Sequence, residues 1–169
     1  PPSVPQQDDI TLLVVDSVTL QAVGEKELQA IPVAVRDTRS PPRSALRIVL
    51  RTANGEPLSE YSIPSLVFHL AEDSFVAHTL FEALFRRPLG FLVRVGAKTE
   101  FRPASDLRPV GFDREHGLLD YTRTGSLGYR LLYEYFAFPE KFLFAEFAGL
   151  QALGAGGKDS KENKAELVL

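Results

Sequence analysis

The sequence predicts an α+β fold. It is strand-dominated and mainly antiparallel, with two short amphipathic helices at about 74–86 and 127–137. Three observations predict it. Val, Ile, Thr, Leu and Phe recur in short runs bounded by Gly, Pro, Asn and Asp, the pattern of strands between turns. The period switches to helical spacing in only two places. So few helices among so many strands give no βαβ alternation, and the sheet reads as antiparallel.

Residues 1–9, PPSVPQQDD, read as a disordered lead-in. Ile10–Val15 and Val18–Val23 are rich in β-branched residues and read as two strands. Leu28–Val35 is a third candidate, confined to an edge or a bulge by Pro32. Residues 37–44 are a loop. Ala45–Thr52 is the clearest strand, with Leu46, Ile48 and Leu50 on one face and Arg47, Val49 and Arg51 on the other. Asn54-Gly55 then signals a hairpin. Leu58–Ile63 and Leu66–Leu70 read as strands.

Asp73 or Ser74 caps the first helix, in which Val76, Leu80 and Leu84 recur every four residues. Pro88 ends it, and Arg86 and Arg87 suit the negative end of its dipole. Phe91–Val95 is a strand that pairs with Thr99–Arg102. Leu107–Phe112 is extended, and a polar loop runs to Gly125. Ser126 caps the second helix, and Phe138-Pro139 stops it. Lys141–Phe147 is an apolar strand. Residues 151–164 read as a flexible loop, and 165–169 as the start of a further strand. Residues 10–150 are thus expected to form a single β-rich domain.

The chain has 169 residues, 44% of them hydrophobic and 24% charged, a globular composition. It has no Cys, which excludes a disulfide scaffold, a thiolate nucleophile and a Cys-ligated zinc site within this segment. It also has no Met, which predicts an internal section of a longer polypeptide. No apolar run is long enough to span a bilayer.

Charge alternates along the chain. Residues 31–51 carry five Arg against one Asp, and residues 52–85 carry five acids and no Lys or Arg. An arginine-rich nucleic-acid module is the alternative this pattern raises. A pI of about 5.7 and the lack of a Lys/Arg-Gly-aromatic strand motif argue against nucleic acid. Complementary protein contacts fit the alternation better, a mixed-sign surface with no partner is a third reading of it, and a non-catalytic interaction domain of another assembly is the other functional alternative.

No catalytic, cofactor-binding or metal-binding set is expected. His69, His78 and His116 lack the short spacing of metal ligands. Asp8-Asp9 falls in the lead-in, Glu72-Asp73 is explained by helix capping, and Asp113/Glu115 sits in a solvated loop. No Gly-x-Ser-x-Gly elbow occurs, and the glycines at 154–157 lack the Lys-Ser/Thr of a phosphate loop.

The densest signal is residues 128–147, GYRLLYEYFAFPEKFLFAEF, with eight aromatic residues in twenty. Leu131, Leu132, Phe142 and Phe144 are expected in the core. Tyr129, Tyr133, Tyr135, Phe136 and Phe138 surround the helix rather than lining one stripe, which points to a partner interface.

Leu107-Arg-Pro-Val-Gly-Phe112, followed by Gly128-Tyr-Arg-Leu-Leu132, Glu134-Tyr-Phe136 and Phe138-Pro-Glu-Lys-Phe-Leu-Phe144, resembles the TssF (ImpG/VasA) family of type VI secretion baseplate subunits. The likeness covers about residues 45–150 well and 10–44 loosely. Asp120 and Leu127 stand where the family pattern has Pro. The resemblance implies a structural role without catalytic residues or cofactors. It implies a wedge component similar to contractile-phage tail-wedge proteins, with two TssF-type chains to one TssG. TssE, TssK and the spike hub are the further partners, and a homodimer contact within the wedge is compatible. The implied place is the bacterial cytoplasm, at the inner membrane once assembled, without membrane insertion. Tyr129, Arg130, Tyr133, Tyr135 and Phe138 are the candidate interface residues, with Glu140 and Lys141 as a local ion pair.

Overall fold

The computed structural model describes residues 13–36, 42–71, 73–86, 88–118, 126–154 and 162–169. The elements are β1 (Leu13–Ala22), α1 (Glu25–Ala30), β2 (Ser44–Thr52), β3 (Ser65–His69), α2 (Ser74–Arg86), β4 (Gly90–Val95), β5 (Lys98–Pro103), β6 (Leu107–Val110), α3 (Leu127–Ala137), β7 (Phe144–Ala148), α4 (Gln151–Gly154) and β8 (Lys164–Val168). Short 3-10 turns occupy Leu58–Glu60, Ala104–Asp106, Arg114–His116 and Pro139–Phe142. The fold is α+β as expected, and the β1–β2, β2–β8, β4–β8, β3–β7 and β6–β7 pairings are antiparallel. The chain divides into two compact units, residues 1–63, 92–100 and 151–168 in one, and 64–91 and 101–150 in the other.

A five-stranded sheet runs in the order β1-β2-β8-β4-β5. Paired residues share a face, so Val18, Ile48, Leu167 and Val93 form one apolar row across four strands. Ile48, Leu50, Val93 and Leu167 are buried, as the alternation in β2 requires. The opposite face carries Arg47, Glu166 and Arg94. Glu27 of α1 reaches both arginines there, at 3.5 Å from Arg47 and 3.2 Å from Arg94.

Several expected strands in the first unit take other forms. The expected lead-in 1–9 and residues 10–12 lie outside the described residues; Leu13–Val15 and Val18–Ala22 belong to one strand, whose register shifts between Val15 and Ser17. Asp16 occupies that bulge and pairs with Arg51 and Lys164. The expected strand at 28–35 is instead helix α1 followed by a turn. Its Glu-Lys-Glu-Leu-Gln-Ala run consists of good helix formers, and Glu25 and Glu27 suit the first turn. Leu58–Ile63 begins as a 3-10 turn after Pro57. Gly55 has φ 77, as a turn demands, but β2 pairs with β1 and β8, so Asn54-Gly55 closes no hairpin. Part of the loop expected at 151–164 is the short helix α4, and 155–161 lie outside the described residues. The run at 165–169 forms β8, inserted between β2 and β4.

The second unit holds a three-stranded sheet, β3-β7-β6. Phe147 sits opposite both Leu66 and Leu107. Its ring is T-shaped to those of Phe68 and Phe91, at 5.3 and 5.2 Å between ring centres. Edge-to-face rings of this kind contribute beyond their buried area. β7 starts at Phe144, not at 141, because Pro139 opens a 3-10 turn first.

Asp73 caps α2 by accepting from the Phe75 amide at 3.0 Å. Ala77 and Leu84 are the buried positions of this helix, whereas Val76 and Phe75 are exposed. The inward side therefore keeps Leu84 and half-buried Leu80 of the expected row and takes Ala77 in place of Val76.

Candidate functional site

Helix α3 is inside out. Its buried residues are Arg130 and Glu134, 5% and 0% exposed. Its outer face carries Tyr129, Leu132, Tyr133 and Phe136, at 73%, 55%, 65% and 78% exposure. These four stand at i, i+3, i+4 and i+7, the spacing of a helix-packing seam. Leu132, expected in the core, is thus on the surface. Phe142 is buried as expected, while Leu131 and Phe144 are half-buried.

The inward charges make a network. Arg130 donates from Nη1 to the Arg114 carbonyl at 2.8 Å and from Nη2 to the Asp113 carbonyl at 2.9 Å. Its Nε lies 3.8 Å from Glu134 Oε1, an ion-pair distance too long for a hydrogen bond. The same carboxylate oxygen accepts from the Leu118 amide at 3.0 Å. Glu134 Oε2 accepts from Lys141 Nζ, and that ammonium lies 5.2 Å from the centre of the Phe142 ring. Glu134 thus ties α3 to the loop at 113–118 and to the turn at Pro139–Phe142.

Two glycines make room for this network. A Cβ on Gly117 would lie 2.5 Å from Arg130 Nη1. Gly111 has φ 108, and its Cβ would lie 2.5 Å from the Lys141 carbonyl oxygen. The Gly111 amide also donates to His116 Nδ1 at 3.3 Å. The PVGF segment and the GYRLL–EKF segment, about fifteen residues apart in sequence, are therefore one physical cluster.

Aromatic rings continue from this cluster. Phe85, Phe81, Phe112, Phe142, Tyr135 and Phe136 follow one another with ring centres 4.7, 6.4, 5.0, 5.9 and 5.7 Å apart. The ladder joins α2, the residue after Gly111, the 3-10 turn and α3 within one unit.

Of the candidate interface residues, Tyr129, Tyr133, Tyr135 and Phe138 are exposed. Arg130 is not: it is consumed by backbone carbonyls. Lys141 meets Glu134 rather than its neighbour Glu140, which is exposed. Sequence reasoning missed Glu134 as the hub. The available signal was the i, i+4 spacing of Arg130 and Glu134, which puts both on one helix face.

The described residues bring together no group of three or more His, Cys, Asp or Glu able to hold a metal. His69 stacks on Phe144 at 4.4 Å, and His78 meets the Ser74 carbonyl at 2.6 Å. In the other unit, Glu27, Arg47, Arg94 and Glu166 form an ion-pair network. Glu27 is held below its ordinary pKa, first by its own backbone amide and then by Arg94 and Arg47, against the opposing effect of burial. No helix among the described residues is long and apolar enough to cross a membrane.

The chain is thus a strand-rich α+β protein that displays an aromatic helix. Residues 14–169 match the family described as Type VI secretion system, TssF, and the chain belongs to that family. It is similar to the type VI secretion system component TssF1 of Pseudomonas aeruginosa, with 41% identity over 134 residues. That match covers 76% of this chain and 22% of the relative, so the chain spans about a fifth of that relative's length. It is also similar in fold to a chain of the TssK-TssF-TssG baseplate subcomplex solved by cryo-electron microscopy, with a TM-score of 0.62 and 24% identity. That likeness covers 92% of this chain and 26% of the other.

Proposed function

We propose that this chain is a structural part of a type VI secretion baseplate and acts through protein–protein contact. Family membership supports the setting. The observation that supports contact as the mechanism is α3, whose apolar seam faces outward while its charges face inward. A soluble helix orients the other way unless something covers its apolar face. The neighbouring structure was solved as a subcomplex with TssK and TssG, so these are the partners to test first. The working place in this reading is the cytoplasmic side of the inner membrane, and the chain performs no catalysis.

The contact is expected to be carried by Tyr129, Tyr133, Tyr135 and Phe138, aromatic anchors of the kind that dominate interfaces. Glu140 lies at its rim. The test replaces Tyr129 and Tyr133 by Ala in the intact polypeptide and measures capture of TssG and of TssK. Both replacements are at exposed positions, so the melting temperature should hold while capture of at least one partner falls tenfold or more. Unchanged capture of both partners would sink the interface.

A further inference from the structure

We propose that the buried Arg130–Glu134–Lys141 cluster sets the rotation of α3 about its own axis and thereby holds the Tyr129–Leu132–Tyr133–Phe136 seam outward. The inference deepens the interface reading above and rests on it for its biological use.

Transfer from water favours the opposite rotation. Turning α3 over would bury four apolar side chains and return two charges to solvent. Something specific must therefore oppose that preference. Arg130 and Glu134 reach inward to the carbonyls of Asp113 and Arg114, the amide of Leu118 and the ammonium of Lys141. Their i, i+4 spacing means that any rotation breaking one set of bonds breaks the other.

The surroundings are shaped for these charges as well. Gly117 leaves space beside the guanidinium, and Gly111 lies against the backbone that carries Lys141. A side chain at Gly117 would collide with Arg130 in the observed rotation. Buried polar groups that fix one arrangement among several are a known route to specificity, even where they add little stability. Here the arrangement selected is the one that exposes a packing seam. Arg130, Glu134 and Lys141 are accordingly positioning residues. They act through the rings they present, not by touching a partner.

The test compares wild type with the Arg130→Met/Glu134→Leu/Lys141→Met variant of the intact polypeptide. Hydroxyl-radical footprinting read by mass spectrometry reports the exposure of Tyr129, Tyr133 and Phe136, with Tyr61 as internal reference. Thermal unfolding is followed in parallel. The expected result is a cooperatively folded variant in which oxidation of the three rings falls at least threefold. A folded variant whose rings oxidise at the wild-type rate overturns the inference.

If the triple variant does not fold, Arg130→Met/Glu134→Leu serves instead. It removes one charge of each sign and both of the helix's own inward anchors, and leaves the Lys141 ammonium to reach solvent. Reduced oxidation of the seam supports the inference, and wild-type oxidation in this folded variant overturns it. The footprint involves no partner. Wild type that captures neither TssG nor TssK would therefore sink the interface reading alone, and an unchanged footprint the rotation alone.

Discussion

Glu134 is fully buried and carries its charge among three segments of chain. A buried carboxylate is tolerable only when its partners replace water, and the partners are then left stranded when it goes. Glu134→Ala is accordingly expected to cost about 3–5 kcal/mol in urea unfolding, because it leaves Lys141 and Arg130 with uncompensated charge. Adding Lys141→Met to that variant should recover part of the loss, although it deletes a further native group. Gly111→Ala should cost more than about 1 kcal/mol, since a positive φ combines with a backbone collision at Lys141. Glu27 gives a pH dependence of defined sign. Its folded pKa lies below the ordinary 4.5, so its stabilising effect is whole above that pH and is lost as pH falls through the depressed value. Glu27→Gln should therefore destabilise at about pH 7 and differ less from wild type at about pH 3, as read by urea titration at each pH.

At the scale of elements, burial follows spacing in α2 and inverts it in α3. Leu84→Ala is expected to cost about 2–5 kcal/mol, whereas Val76→Ala, on the exposed side, should stay within about 0.5 kcal/mol. The same measurement on both variants checks which positions of α2 face inward. Most elements were legible because their signal is local: the alternation in β2, the cap at Asp73, the Ser126 and Pro139 limits of α3. Helix α1 was hidden because Leu28, Ile31 and Val33 invited a strand, while helix propensity and the dipole decided the conformation. The aromatic residues of α3 were expected all around the helix, whereas Tyr129, Tyr133 and Phe136 gather with Leu132 on one outward face. Arg130 was misplaced there because an arginine beside tyrosines looks like an interface anchor. The acceptors that hold it inward come from a loop at 113–118, a tertiary fact that spacing on the helix does not encode.

For the whole molecule, charge and contact separate cleanly. Both charged residues of α3 point inward, so its seam is free of charge, while the ionic networks of the first unit lie around Glu27 and Asp16. Binding through the seam should accordingly change little as salt rises from about 50 to 200 mM, whereas phosphate-tracking contacts would weaken by orders of magnitude. Titrating TssG capture against salt checks this, and a steep decline would show that ionic contacts rather than the seam carry the binding.

β8 carries a different consequence. It lies between β2 and β4, so two strands of the five-stranded sheet wait for residues 164–168 before they have that neighbour. The β3-β7-β6 sheet has all its strands by Ala148. During synthesis, then, the second unit can assemble while the first still shows open strand edges, the state in which a nascent chain pairs with the wrong neighbour. Any pause that leaves residues 164–168 unmade, or still inside the ribosome exit tunnel, prolongs that exposure.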